Sequence, residues 1–92
     1  MDRQARKKLD SDLRKLEKRV QEEEVAIEKL EKELEAWDAE LQDPAQFQKH
    51  SQDPDFYERY ESRRAALNQH MQNWEQAQEK LEKLQKRRDQ AT

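Results

Sequence analysis

Apolar residues fall on a single stripe that stops at two Asp-Pro pairs and then resumes. Leu9, Leu13, Leu16, Val20, Ile27, Leu30, Leu34, Trp37 and Leu41 are spaced four, three, four, seven, three, four, three and four apart. After the break, Tyr57, Tyr60, Leu67, Met71, Trp74, Leu81 and Leu84 take it up again. Steps of three and four make a heptad stripe, the mark of helices that bury one seam rather than enclose a globular core.

The stripe predicts two long helices and a corner within one structural unit spanning residues 1–92. The first helix is expected over about residues 3–42, with Asp10, Ser11 and Asp12 as alternative N-caps should its first turns fray. Asp43-Pro44 and Asp53-Pro54 each read as a helix start, because Asp caps free N–H groups and Pro needs no partner at the first helical position. Pro44 to Lys49 is then a short helical turn, His50 to Asp53 completes a corner over 43–53, and the second long helix runs from Pro54 to about Arg88. Facing residues whose numbers add to 97 or 98 close the seam: Leu41 with Tyr57, Trp37 with Tyr60, Leu30 with Leu67, Ile27 with Met71, Leu16 with Leu81. The expected fold is all-α, an antiparallel two-helix coiled-coil hairpin with a short helical turn at the tip, and a monomer; a parallel homodimer or a four-helix assembly of open helices is the competing arrangement.

Some seam positions carry polar side chains. Glu23 would face Trp74, Arg64 would face Leu34 and Gln78 would face Val20. Long stems can cover apolar surface while their heads reach water, and polar seam residues penalise wrong alignments. Met71, Trp74 and Ala77, three and three apart, read as a stammer that overwinds the second helix. Glu28–Lys32, Glu79–Lys83 and Glu82–Lys86 are favourable i,i+4 pairs.

Composition narrows the function. Of 92 residues 45% are charged and 32% hydrophobic, so the chain can bury one seam but not wall a pocket. The absence of glycine removes every phosphate-cradling loop, and the absence of cysteine removes disulfides and thiolate metal sites. His50 and His70 have no spacing that suits a metal, the serines no nucleophile setting, and the carboxylates no apolar pocket. No catalytic residue, metal or cofactor is therefore expected, and the chain itself is not expected to be an enzyme. No apolar run approaches the ~20 residues that span a bilayer, no secretory leader is evident, and a cytoplasmic setting is expected.

Charge is unevenly distributed. Residues 1–20 hold eight basic and four acidic side chains, residues 21–63 five and fourteen, and residues 64–92 six and four. Lys7, Lys8, Arg14, Lys15 and Lys18 fall on the outer face of the first helix, and Lys80, Lys83, Lys86 and Arg87 point outward from the second. A hairpin brings both sets to one end, an array suited to a phosphate backbone. The aromatics Trp37, Phe47, Phe56, Tyr57 and Tyr60 bracket the corner; base stacking there is conceivable, but they are expected to plug the open end of the seam, with Phe47 folded over Trp37 and Leu41.

The runs Leu13–Val20, Ile27–Leu34 and Leu41-Gln-Asp-Pro-Ala-Gln-Phe47, then Asp55–Tyr60 and Trp74-Glu75, resemble the C-terminal coiled-coil domain of the ABC-F ATPases, ABC proteins without membrane spans. In that family the first helix ends in a leucine followed by a D-P-x-x-[FY] turn, and the second carries Trp-Glu. Leu41, Asp43, Pro44, Phe47, Trp74 and Glu75 match these positions. The resemblance covers about Leu9 to Leu84; a longer second helix and a longer aromatic corner depart from the family pattern. It implies an accessory domain that binds DNA or ribosomal RNA, cut from a parent whose ATPase domains precede it, with Met1 an added start. The alternative is a structural spacer or protein–protein coiled coil with no nucleic-acid contact.

Overall fold

The computed structural model describes residues 2–91, and Met1 lies outside them. The fold is all-α, built of α1 (Arg3–Gln42), α2 (Pro44–Ser51) and α3 (Phe56–Ala91). The long helices α1 and α3 pack antiparallel as a helical hairpin. Packing divides the chain into a terminal unit, Met1–Glu24 with Met71–Thr92, and a corner unit, Val25–His70.

α1 starts earlier than any of the Asp10–Asp12 alternatives. Asp2 accepts from the Ala5 amide at 2.7 Å and caps the helix, so Lys7 and Lys8 lie within it. Asp10 instead reaches across the hairpin: Arg88 Nε lies 3.1 Å from its Oδ1, close enough for ionic attraction but outside hydrogen-bond alignment.

The corner turns without glycine. No described residue has positive φ, so the left-handed residue that commonly ends a helix is not used. Carbonyls left over at the helix ends are taken by i→i+3 bonds instead: Gln52 N–H to Lys49 at 3.3 Å, Asp53 N–H to His50 at 3.1 Å. Asp43 caps α2 as expected, accepting from the Ala45 amide at 3.1 Å with Pro44 at the helix start. The second Asp-Pro behaves differently. Asp53 Oδ1 accepts from the Asp55 amide at 2.9 Å and its carbonyl from Phe56 N–H at 3.3 Å. This Asx-type turn holds Pro54 and Asp55 outside the helix, and α3 begins at Phe56 rather than Pro54.

On α1 the seam positions of the sequence reading are buried or half-buried throughout, with Glu23 filling the seven-residue gap as a half-buried position. On α3 the seam runs Phe56, Tyr60, Arg63, Leu67, His70, Trp74, Ala77, Leu81 and Leu84, in unbroken steps of four and three. Four expectations change accordingly. Phe56, 1% exposed, takes the place assigned to Tyr57, which is 50% exposed. His70 takes the place of Met71, which is exposed, so the heptad does not stammer. Arg63 rather than Arg64 is the basic seam residue, and Ala77, 2% exposed, rather than Gln78 is the buried residue at that step. In each case a large apolar or long side chain sits one residue from the true seam position, and the regular 4-3 phase decides.

In the terminal unit Leu9, Leu13, Val20, Ala77 and Leu81 are buried together, with Leu16, Trp74 and Leu84 packed against them. In the corner unit only Leu34 and Phe56 are buried. There Phe56 collects a stack from His50 (4.1 Å) and edge contacts from Trp37 (5.7 Å) and Tyr57 (5.4 Å). Phe47, placed over Trp37 and Leu41 by the sequence reading, is instead 49% exposed; Phe56 fills the apolar end.

Candidate nucleic-acid interface

Lys7, Lys8, Arg14, Lys15, Lys18, Lys80, Lys83, Lys86 and Arg87 are all exposed, and all belong to the terminal unit. That unit holds thirteen basic and eleven acidic side chains; the corner unit holds six and eleven. The nine cations share one unit, but they do not share one face.

Their distribution follows from the heptad. Numbering the seam of each helix a and d, with Leu13 and Leu81 at a and Leu9 and Leu84 at d, places e and b on one flank, c and g on the other, and f at the back. Cross-helix contacts identify each flank. Arg88 with Asp10 and Trp74 Nε1 with Glu24 Oε1 (3.0 Å) mark the e side. A shallow groove of about 220 Å³ lined by Ala5, Lys8, Leu9, Asp12, Leu84 and Arg87 marks the g side.

Lys8, Lys15, Lys80, Lys83 and Arg87 therefore lie on the c/g side. Lys7 and Arg14 occupy b positions on the opposite side, and Lys18 and Lys86 are at the back of their respective helices. Arg19, exposed at a g position, joins the first group. Arg19 is not among the cations expected from the sequence; it adjoins the seam residue Val20, and its flank follows once the antiparallel register is known.

Neighbouring acids hold few of these cations. Lys83 reaches Glu79 at 3.4 Å and Lys18 reaches Glu22 at 4.0 Å, both well exposed; such pairs contribute little. Among the described residues Lys8, Lys15, Arg19, Lys80 and Arg87 form no ion pair. The anticipated Glu82–Lys86 pair is not formed, whereas Glu28–Lys32 closes at 3.0 Å.

The corner unit's polar groups are instead engaged with one another. Arg63 Nε donates to Glu33 at 3.1 Å, Tyr60 Oη to Asp38 at 2.7 Å and Arg59 Nη2 to Asp53 at 2.8 Å. His50 Nε2 lies 2.7 Å from Glu40 Oε2. The Arg59 hydrogen bond, helped by the Asp55 amide, lowers the Asp53 carboxyl below its usual range, and Arg59 is raised by the same bond. Tyr60 is raised, first because its hydroxyl donates to the Asp38 carboxylate. Among the described residues no group of three or more His, Asp or Glu side chains is placed to hold a metal ion, and no helix is long and apolar enough to cross a membrane.

The residues that carry the ABC-F resemblance have definite places. Leu41 is half-buried, Asp43 and Pro44 start α2, Phe47 and Glu75 are exposed, and the Trp74 indole bonds to Glu24 rather than to Glu75. Comparison with protein-family models, with curated proteins and with solved structures finds no match to this chain.

Proposed function

We propose that this chain is an accessory coiled-coil module that binds nucleic acid, DNA or ribosomal RNA, through exposed cations of its terminal unit. In this reading it serves a cytoplasmic ATP-binding protein of the ABC-F type as its C-terminal domain, and its further partners are the ATPase domains of that parent. One observation carries the binding reading: nine exposed cations collect in the unit with a basic excess, and most of them are held by no acid. Phosphate backbones bind such arrays by displacing condensed counterions, which requires neither a pocket nor a base-reading motif. The parentage rests on the turn and Trp-Glu residues of the sequence, joined by the helix start that Asp43 and Pro44 make.

Titration with duplex DNA and with a structured RNA, each at two salt concentrations, tests the binding reading. The expected result is binding that weakens steeply with salt, by a log–log slope of about 0.7–0.9 per phosphate contact. Affinity that is absent at low salt, or that ignores salt, would overturn it and leave the spacer role.

A further inference from the structure

Resting on the nucleic-acid reading, we infer that only one side of the terminal unit, the c/g side, meets the phosphate backbone, and that Arg19 belongs to that contact while Lys7 and Arg14 do not. The two broad sides are opposite in charge. The c/g side carries six basic residues (Lys8, Lys15, Arg19, Lys80, Lys83 and Arg87) against Asp12 and Glu22. The e/b side carries Arg3, Lys7 and Arg14, with Arg88 reaching over from the seam to Asp10, against six acids: Asp10, Glu17, Glu24, Glu75, Glu82 and Asp89. A polyanion brought to the e/b side meets a net negative surface. On the c/g side it meets cations from both helices.

Spacing supports the same choice. Lys8 and Lys15 on α1, and Lys80 and Arg87 on α3, are each seven residues apart, about 10 Å at 1.5 Å per residue. Two rows of repeated cations on a stiff pair of helices suit a regular, extended polyanion. Lys8 and Arg87 line one groove together, so the rows are neighbours on the same surface.

The composition of this side also separates a nucleic acid from a lipid surface. Its uncharged residues are Ala5, Asn73, Gln76 and Gln90. Interfacial helices hold a bilayer by burying large apolar side chains beneath their cations, and this side has none; the exposed Met71 occupies an e position on the other flank.

Two double variants with the same change in net charge test the assignment: Lys15→Gln with Lys80→Gln on the c/g side, and Lys7→Gln with Arg14→Gln on the e/b side. Glutamine keeps helix propensity, and circular dichroism of both checks that the hairpin is intact. Each is titrated with one duplex DNA and one hairpin RNA across a salt series. The c/g double variant is expected to bind roughly tenfold more weakly at low salt and to flatten the log–log slope by about 1.8, while the e/b double variant keeps the parent slope. Arg19→Gln alone should flatten it by about 0.9. Equal losses from both double variants, with the parent binding, would overturn the one-sided contact while sparing the nucleic-acid reading. A parent that binds neither probe at low salt would overturn both, as would a parent that binds anionic phosphatidylserine vesicles and no nucleic acid.

Discussion

The two units close the same heptad stripe by different means. In the terminal unit aliphatic residues do the work: five buried side chains of α1 and α3 cluster, and Trp74 and two leucines pack against them. In the corner unit two residues are buried, and contact is completed by an aromatic group around Phe56 and by polar bonds from Arg63, Tyr60 and His50. The difference extends to the surface. In the terminal unit most of the candidate cations form no ion pair, whereas in the corner unit Arg59 and Arg63 are engaged with Asp53 and Glu33. The terminal unit is also the one with the basic excess.

The comparison predicts an order of sensitivity. Phe56→Ala should cost about 3–5 kcal/mol, because the residue is 1% exposed and four aromatic rings lie around it. Thermal melting followed by circular dichroism measures it, and a loss under about 1 kcal/mol would remove Phe56 from its central place. Leu13→Ala, at a site 4% exposed in the terminal unit, should cost about 2–4 kcal/mol. Leu30→Ala, at a half-buried corner position, should cost less than Leu13→Ala; the reverse order in paired denaturant titrations would contradict the idea that aliphatic burial is concentrated in the terminal unit.

Smaller effects come from the polar bonds of the corner, and they depend on pH. Asp53 is held below its unfolded value, so its contribution is present above the ordinary carboxylate range near pH ~3.9 and disappears as pH falls through the lowered folded value. Tyr60 is held above its unfolded value, so its contribution is present below pH ~10 and disappears as pH rises through the raised folded value. Ultraviolet titration should show a tyrosine step above the ordinary range that Tyr60→Phe removes; persistence of that raised step in the variant would mean that the Asp38 bond does not protect the hydroxyl. Smallest of all, Phe47→Ala should change stability by no more than about 0.5 kcal/mol, since its ring is half exposed.

Much of this fold is legible from residue types. Glycine-free, charge-rich composition and the 4-3 spacing of leucines mark α1 and its seam, and Asp43-Pro44 marks the start of α2. α3 is harder to read because Arg63 and His70 stand at seam positions; putting the more hydrophobic Met71 in place of His70 moves the stripe by one residue, a rotation of about 100°. The turn at Asp53 depends on a side-chain bond to Asp55, which competes with the Pro54 helix-start signal. For the candidate interface, outward exposure of the lysines follows from the seam alone. Their division into two flanks depends on which residues of α3 oppose α1, so Arg19 stands out only when the helices are paired.

Nuclear magnetic resonance tests the contrast between the units most directly. In a titration of the isotopically labelled chain with duplex DNA at low salt, backbone amide shifts should change around Lys8, Lys15, Arg19, Lys80, Lys83 and Arg87. They should stay in place around Trp37, Phe47 and Tyr57. Changes centred on those corner aromatics, with the terminal cations undisturbed, would contradict the account and move the contact to the unit with the acidic excess.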